Sequence, residues 1–296
     1  MKTTIIFLCF LTIFSETLYS GIYEGWIDPD ITGSIVPIWM ELVESNGAYS
    51  GWYVNRIEPD TLYFQGKRQK GSIVLNVLNG NNRIKETFTL NAENGILSGY
   101  WKPYKGYDTD VILFPTDSIY KNVMKLELNS AMLKKGKGKQ DSITDIHYLM
   151  VRKGLASLKV FRERKDIGRP WISYHVIDLL KNREIQLTDY LEQYAFAKLK
   201  INGDSFAEAE AEKQLELYSE EEIEQMVQCG FHNNEELHLD NVVLYPNRMS
   251  LTLDYLNVFG MNSECDYLLY PIQYSFSFEE FKPCIRQGTF LGRLLQ

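Results

Sequence analysis

Four histidines, His147, His175, His232 and His238, are the obvious candidates for acid–base or metal chemistry. If Glu236 to Asp240 forms a strand, Glu236, His238 and Asp240 share one face, with His232 nearby. Helix-borne zinc sites place two histidines at i and i+4, and this spacing does not. A solvent-facing polar edge is the preferred reading. His175 shares an alternating strand with Trp171, Ser173 and Ile177, where a hydrogen-bonded, partly buried histidine is expected. No Gly-x-Ser-x-Gly elbow, phosphate loop or dinucleotide fingerprint occurs. No catalytic residue, metal ligand or cofactor is therefore assigned. Paired carboxylates could still serve a glycan hydrolase, because one sequence does not reveal separations in space.

Cysteine usage adds little chemistry. Cys9 lies in the first apolar run, leaving Cys229, Cys265 and Cys284. In an oxidising compartment two of these could pair, or all three could remain small buried thiols. Their spacing matches neither a zinc knuckle nor a Cys-x-x-Cys redox pair.

The aromatic residues belong to an internal repeat. Gly21-Ile-Tyr-Glu-Gly25-Trp26 is echoed by Gly47-Ala-Tyr-Ser-Gly51-Trp52 and by Gly95-Ile-Leu-Ser-Gly99-Tyr100-Trp101. With Gly71 opening a further apolar segment, the glycines are separated by 26, 24 and 24 positions. Two strands with their turns account for each period, since strands in all-β domains recur about every 8–12 residues. Apolar alternation in Val36–Leu42, Ile73–Leu78 and Thr87–Leu90 indicates strands with one buried face. Asn46-Gly47, Asn79-Gly80 and Asn94-Gly95 supply turn residues that tolerate positive φ. About eight strands follow, closing into an up-and-down barrel, with a two-layer sandwich as the alternative. Trp26, Trp52 and Trp101 could line the barrel mouth and stack on a flat ligand. The favoured reading is that they plug a small, filled barrel.

The remainder reads as α+β. Residues 119–141 form a linker or first strand and include the basic run Lys134-Lys135-Gly136-Lys137-Gly138-Lys139. Strands are expected over Ile143–Val151, Leu155–Arg164, Trp171–Ile177, Met249–Tyr255 and Ile272–Phe278. Thr188 suits a helix N-cap, with Asn202-Gly203 as the stop. Ser219-Glu220-Glu221-Glu222 has capping-box spacing, as does Ser277 with Glu280. From Glu208 to Glu224 the carboxylates greatly outnumber Lys213, which makes Glu220, Glu221 and Glu222 candidates for docking a cationic partner.

Lys2, the apolar run Ile5–Phe14 and the polar end around Ser20 describe a signal peptide over residues 1–20. That run is shorter than the roughly 20 apolar residues of a membrane span. The expected organisation is a barrel-like domain over 21–118 and an α+β domain over 142–296. With 31 Lys and Arg against 39 Asp and Glu, the net charge is −8. This disfavours nucleic acid or an anionic membrane surface as partner.

Asn182–Asp189, Leu237–Tyr255 and Tyr270–Pro283 resemble successive strand, hairpin and closing-helix segments of a bacterial extracytoplasmic domain. That domain is shared by lysozyme-sensing anti-sigma factors and, beside the catalytic part, by some peptidoglycan deacetylases. The resemblance covers residues 140–290 and transfers no catalytic residue. The N-terminal repeat is similar to uncharacterised β-rich envelope proteins of Gram-negative bacteria. Together these imply an exported, non-enzymatic binding or sensor-type protein of the periplasm or cell surface. Its ligand would be a basic, lysozyme-like protein or a cell-wall glycan. A small-ligand carrier using the barrel, or a glycan hydrolase, are the alternatives.

Overall fold

The computed structural model describes residues 20–28, 34–55, 60–117, 141–164, 169–228, 242–248, 250–255, 272–289 and 291–295. Residues 1–19 of the expected signal peptide, the Lys134–Lys139 run, Cys229, Cys265, His232, Glu236, His238 and Asp240 lie outside them.

The repeat becomes a closed eight-stranded antiparallel barrel, not a sandwich. Its strands are β1 (Gly21–Ile27), β2 (Val36–Ser45), β3 (Ala48–Asn55), β4 (Leu62–Gln69), β5 (Ser72–Leu78), β6 (Ile84–Glu93), β7 (Ile96–Pro103) and β8 (Thr109–Pro115). Each pairs with its sequence neighbour, and β1 closes on β8 with Gly25 opposite Leu113. At one end the strands reverse through two-residue turns in which both residues have positive φ: Asn46-Gly47, Lys70-Gly71 and Asn94-Gly95. Such turns carry the twist the strands need. At the other end, Asn79 Oδ1 accepts the N–H groups of Asn81 and Arg83, each at 3.0 Å, holding the β5–β6 connection.

The second glycine of each repeat has a different task. A Cβ at Gly51 would sit 1.9 Å from Glu41 O, and one at Gly99 would sit 2.0 Å from Thr89 O. Neighbouring backbones approach too closely there for any side chain, as a tightly coiled small barrel requires. Inward side chains, among them Tyr23, Met40, Tyr53, Phe64, Phe88 and Leu97, pack as one buried cluster and fill the interior.

Beyond the barrel, β9 (Asp141–Arg152), β10 (Leu155–Arg164), β11 (Arg169–Asp178) and β12 (Arg183–Glu184) form an antiparallel sheet in the order β12-β11-β10-β9. A second sheet orders β13 (Val242–Asn247), β14 (Ser250–Tyr255) and β15 (Ile272–Ser277). Among the described residues, α1 (Gln193–Leu215), α2 (Glu220–Gln228) and α3 (Phe278–Phe281) are the α-helices of the α+β part.

Both capping boxes form: Ser219 pairs reciprocally with Glu222, and Ser277 with Glu280. The boundaries proposed for the first helix do not. Thr188 lies in a 3-10 turn, and α1 runs straight through Asn202-Gly203. Gly203 is buried, and a Cβ there would meet Tyr255 Oη at 2.7 Å and Leu253 Cδ1 at 2.8 Å. Close packing on β14 offsets the roughly 1 kcal/mol that a mid-helix glycine costs.

The outward residues Glu24 and Trp26 of β1 and Phe114 of β8 are buried. Trp26, Phe114 and Ile35 join Leu149, Met150, Leu155, Tyr245 and Leu251 in one apolar cluster. Ile35 N–H donates to Tyr148 O at 2.9 Å, and Arg248 pairs with Asp28 at 2.8 Å. Lys153 N–H, at the β9–β10 turn, donates to Glu24 Oε1 at 2.6 Å.

Substituting Gly51→Ala or Gly99→Ala is expected to cost about 2–4 kcal/mol through forced backbone displacement. Gly47→Ala, which meets nothing within 4 Å but sits at φ +76°, should cost only about 1–2 kcal/mol. Urea unfolding midpoints compare them. Equal losses at Gly47 and Gly51 would remove close approach as the constraint.

Candidate functional site

The three repeat tryptophans go to three different surroundings. Inward positions on β3 are Tyr49, Gly51 and Tyr53, so Trp52, one residue after its glycine, points outward. Its ring lies 5.2 Å from Trp39, beside exposed Tyr63 across the strand. Trp26, also one residue after its glycine, points outward and is buried 5.5 Å from Phe114. Trp101 falls two residues after Gly99 and points inward. Only Trp101 acts as a plug. Tyr100 takes the outward position equivalent to Trp26 and Trp52 and is exposed.

Trp101 closes the barrel end opposite the tight glycine turns. Its Nε1 donates to Glu86 Oε2 at 3.0 Å, and the Tyr53 hydroxyl donates to the same oxygen. Lys85 Nζ stands 3.4 Å from Glu86 Oε1. Both oxygens of this buried carboxylate thereby have a partner. The β7–β8 connection projects Tyr104 and Tyr107 into solvent, exposed by 76% and 94%.

A second buried carboxylate lies between the two sheets. Asp254 of β14 is sealed from solvent, with Gln273 Nε2 donating to Oδ2 at 2.7 Å. Among the described residues its Oδ1 accepts no hydrogen bond of ordinary geometry. Burial raises the carboxyl, while the Tyr174 hydroxyl, Gln273, Lys159 and the Tyr245 hydroxyl pull it back. Tyr174 and Tyr245 stack face to face, with centroids 4.2 Å apart and planes 4° apart. Burial and the Asp254 charge push both hydroxyls upward, which keeps them protonated donors.

Glu220, Glu221 and Glu222 occupy the exposed first turn of α2, where the helix dipole favours negative charge. Glu222 is already engaged. It accepts the Ser219 N–H at 2.8 Å and the Ser219 hydroxyl at 2.9 Å, which hold its carboxyl below the usual range. Exposed Glu208 and Glu212 on α1, with Glu216 at its C-terminal cap, extend the negative surface at four-residue spacing.

The remaining candidates separate. Cys284 is a buried free thiol, pushed up by desolvation. His147 pairs with Asp145 at 2.9 Å. His175 bonds both Ser173 and Glu184, partners that the alternating pattern placed only in part. Among the described residues, no helix is long and apolar enough to cross a membrane. Neither the protein-family models nor the curated proteins contain a match to this chain.

Glu24 carries the clearest titration. Burial raises its carboxyl from 4.5 to about 7, against the opposing pull of the Lys153 N–H and the Arg152 charge. A carboxyl raised on folding stabilises the fold fully below pH 4.5, and that contribution disappears as pH rises through about 7. The full swing corresponds to about 3 kcal/mol. Glu24→Gln should therefore flatten the stability profile between pH 4.5 and 8 and raise the urea midpoint at pH 8. A wild-type midpoint independent of pH across that window would refute the assignment.

Proposed function

We propose that this chain is an exported binding or sensor-type protein of the bacterial cell envelope, whose α1–α2 surface engages a cationic partner of lysozyme-like charge. The observation that carries this reading is the unrelieved acidity of that surface. Glu208, Glu212, Glu216, Glu220, Glu221, Glu222 and Glu224 are all exposed, with Lys213 as the single basic residue among them. Lys213 is drawn to Glu210 at 3.2 Å. Like charges four apart on a helix repel and weaken it. A basic surface would relieve that repulsion and would be steered toward it over about a Debye length. The filled barrel supports a role for outer surfaces over storage of a small molecule in the lumen. A cell-wall glycan would instead stack on the exposed tyrosines of the β7–β8 connection.

Export rests on Lys2 and the apolar run Ile5–Phe14, and N-terminal sequencing of protein recovered from the envelope tests it. Binding is tested with hen egg-white lysozyme as the basic probe at low and high salt. Glu220→Gln with Glu221→Gln should weaken association several-fold and reduce its salt dependence, leaving the fold intact. Glu222→Gln is a poor test because it also alters the capping box of α2, where this carboxylate accepts from the Ser219 N–H and hydroxyl. Absence of lysozyme binding at low ionic strength would defeat the cationic-partner reading. Binding of soluble peptidoglycan fragments under the same conditions would transfer the role to the glycan.

A further inference from the structure

The face of β11 that borders the buried Leu158, Val160 and Ile177 holds a side-chain relay that the binding role does not use. Ser173 and His175 are two residues apart on one strand and so project from the same face. Ser173 Oγ lies 2.9 Å from His175 Nε2, and His175 Nδ1 lies 2.8 Å from Glu184 Oε1 on the neighbouring strand β12. Arg162 of β10 is 2% exposed and donates from Nε to Ser173 Oγ at 3.1 Å. Its Nη2 stands 3.5 Å from His175 Nε2.

Donor and acceptor accounting gives the relay a direction. Arginine only donates, and a carboxylate only accepts. With the imidazole neutral, Glu184 accepts the proton on Nδ1, which leaves the Nε2 lone pair free to accept from the Ser173 hydroxyl. Ser173 Oγ then accepts from Arg162 and donates to His175. A hydroxyl, an imidazole and a carboxylate in this sequence form a nucleophile, a base and an orienting group, an arrangement identified by geometry and not by sequence order. Ser173 is half-buried at the edge of this apolar face, and Glu184 is exposed.

We propose that Ser173 is a nucleophile activated by His175, that Glu184 positions the imidazole, and that the centre takes carboxylic esters. Ser173 Oγ bonds to the ester carbonyl carbon while its proton passes to His175 Nε2. The carbonyl π electrons move to oxygen, and the resulting oxyanion is countered by the adjacent Arg162 guanidinium. Collapse of this intermediate breaks the bond to the alcohol, which leaves with the proton from His175. Water, deprotonated by the same nitrogen, then releases the acid and restores the serine. This activity is independent of the acidic helices and adds chemistry to a surface-binding protein.

The test is covalent capture on the folded full-length chain with an alkyl fluorophosphonate, mapped by peptide mass spectrometry. Ser173 should carry one phosphonyl group, and heat-unfolded protein none. His175→Gln should slow labelling at least about 100-fold. Glu184→Gln should slow it about tenfold, with partial recovery in Glu184→Asp, which a purely structural carboxylate would not produce. Circular dichroism and the urea midpoint confirm that each variant is folded, and labelling of the wild type stands without them. An unmodified Ser173 in folded wild-type protein under excess probe overturns the proposal. So does His175→Gln labelling at the wild-type rate, leaving the relay as a brace for the edge strand β12.

Discussion

A carboxylate withdrawn from water sets the conditions for the whole assembly. Glu24 sits on the outer face of β1, where an isolated barrel would leave it in solvent. Instead it receives the Lys153 N–H from the β9–β10 turn and is covered by the second part of the chain. Burying an ionised carboxylate costs several kcal/mol unless it is paired or protonated, so the contacts around it must be nearly complete. Besides the Lys153 N–H and the Arg152 charge at Glu24 itself, the barrel and the sheets are joined by the Trp26–Phe114 cluster, the Ile35–Tyr148 bridge and the Arg248–Asp28 pair. Arg152 lies over the Phe114 ring at 4.1 Å and contributes its charge on the same side. The barrel and the two sheets therefore share one core through β1, β8 and β9.

Curvature is the second constraint, and it explains how the repeat behaves. A barrel of eight strands must coil tightly, and Gly51 and Gly99 mark places where carbonyl oxygens fill the space a side chain would need. The glycine then fixes which neighbours point inward. Tryptophans following it by one residue leave the barrel, and the one following by two enters it. Trp26, Trp52 and Trp101 resemble each other in sequence but differ by this single step. The structure consequently uses them for a joint, an outer aromatic pair with Trp39, and an end plug on Glu86.

Polar groups inside the molecule follow two designs. Glu86 and Asp254 are enclosed by ring hydroxyls, an indole or an amide, and hold neighbouring elements together. The Ser173–His175–Glu184 set differs because three side chains of different chemistry stand within hydrogen-bond reach of one another, ending at exposed Glu184. Two-residue spacing on β11 brings Ser173 to His175, whereas Glu184 and Arg162 arrive through strand pairing. The acidic residues of α1 and α2, proposed to dock a cationic partner, remain exposed.

The amino-acid order alone determined the number of barrel strands, the turns at Asn46-Gly47 and Asn94-Gly95, and both capping boxes. These depend on interactions within a few residues, where alternation, positive φ and side-chain capping are decided locally. It also placed Ser173 and His175 on one face. Tertiary structure decided that α1 continues through Gly203, because the space a Cβ would take belongs to Tyr255 and Leu253. It decided that the outer face of β1 is core, since Lys153 reaches Glu24 from 129 positions away. No local pattern encodes which surface will later be covered. Burial there is set by packing between distant segments, and that packing controls the charge of Glu24 and the company each tryptophan keeps.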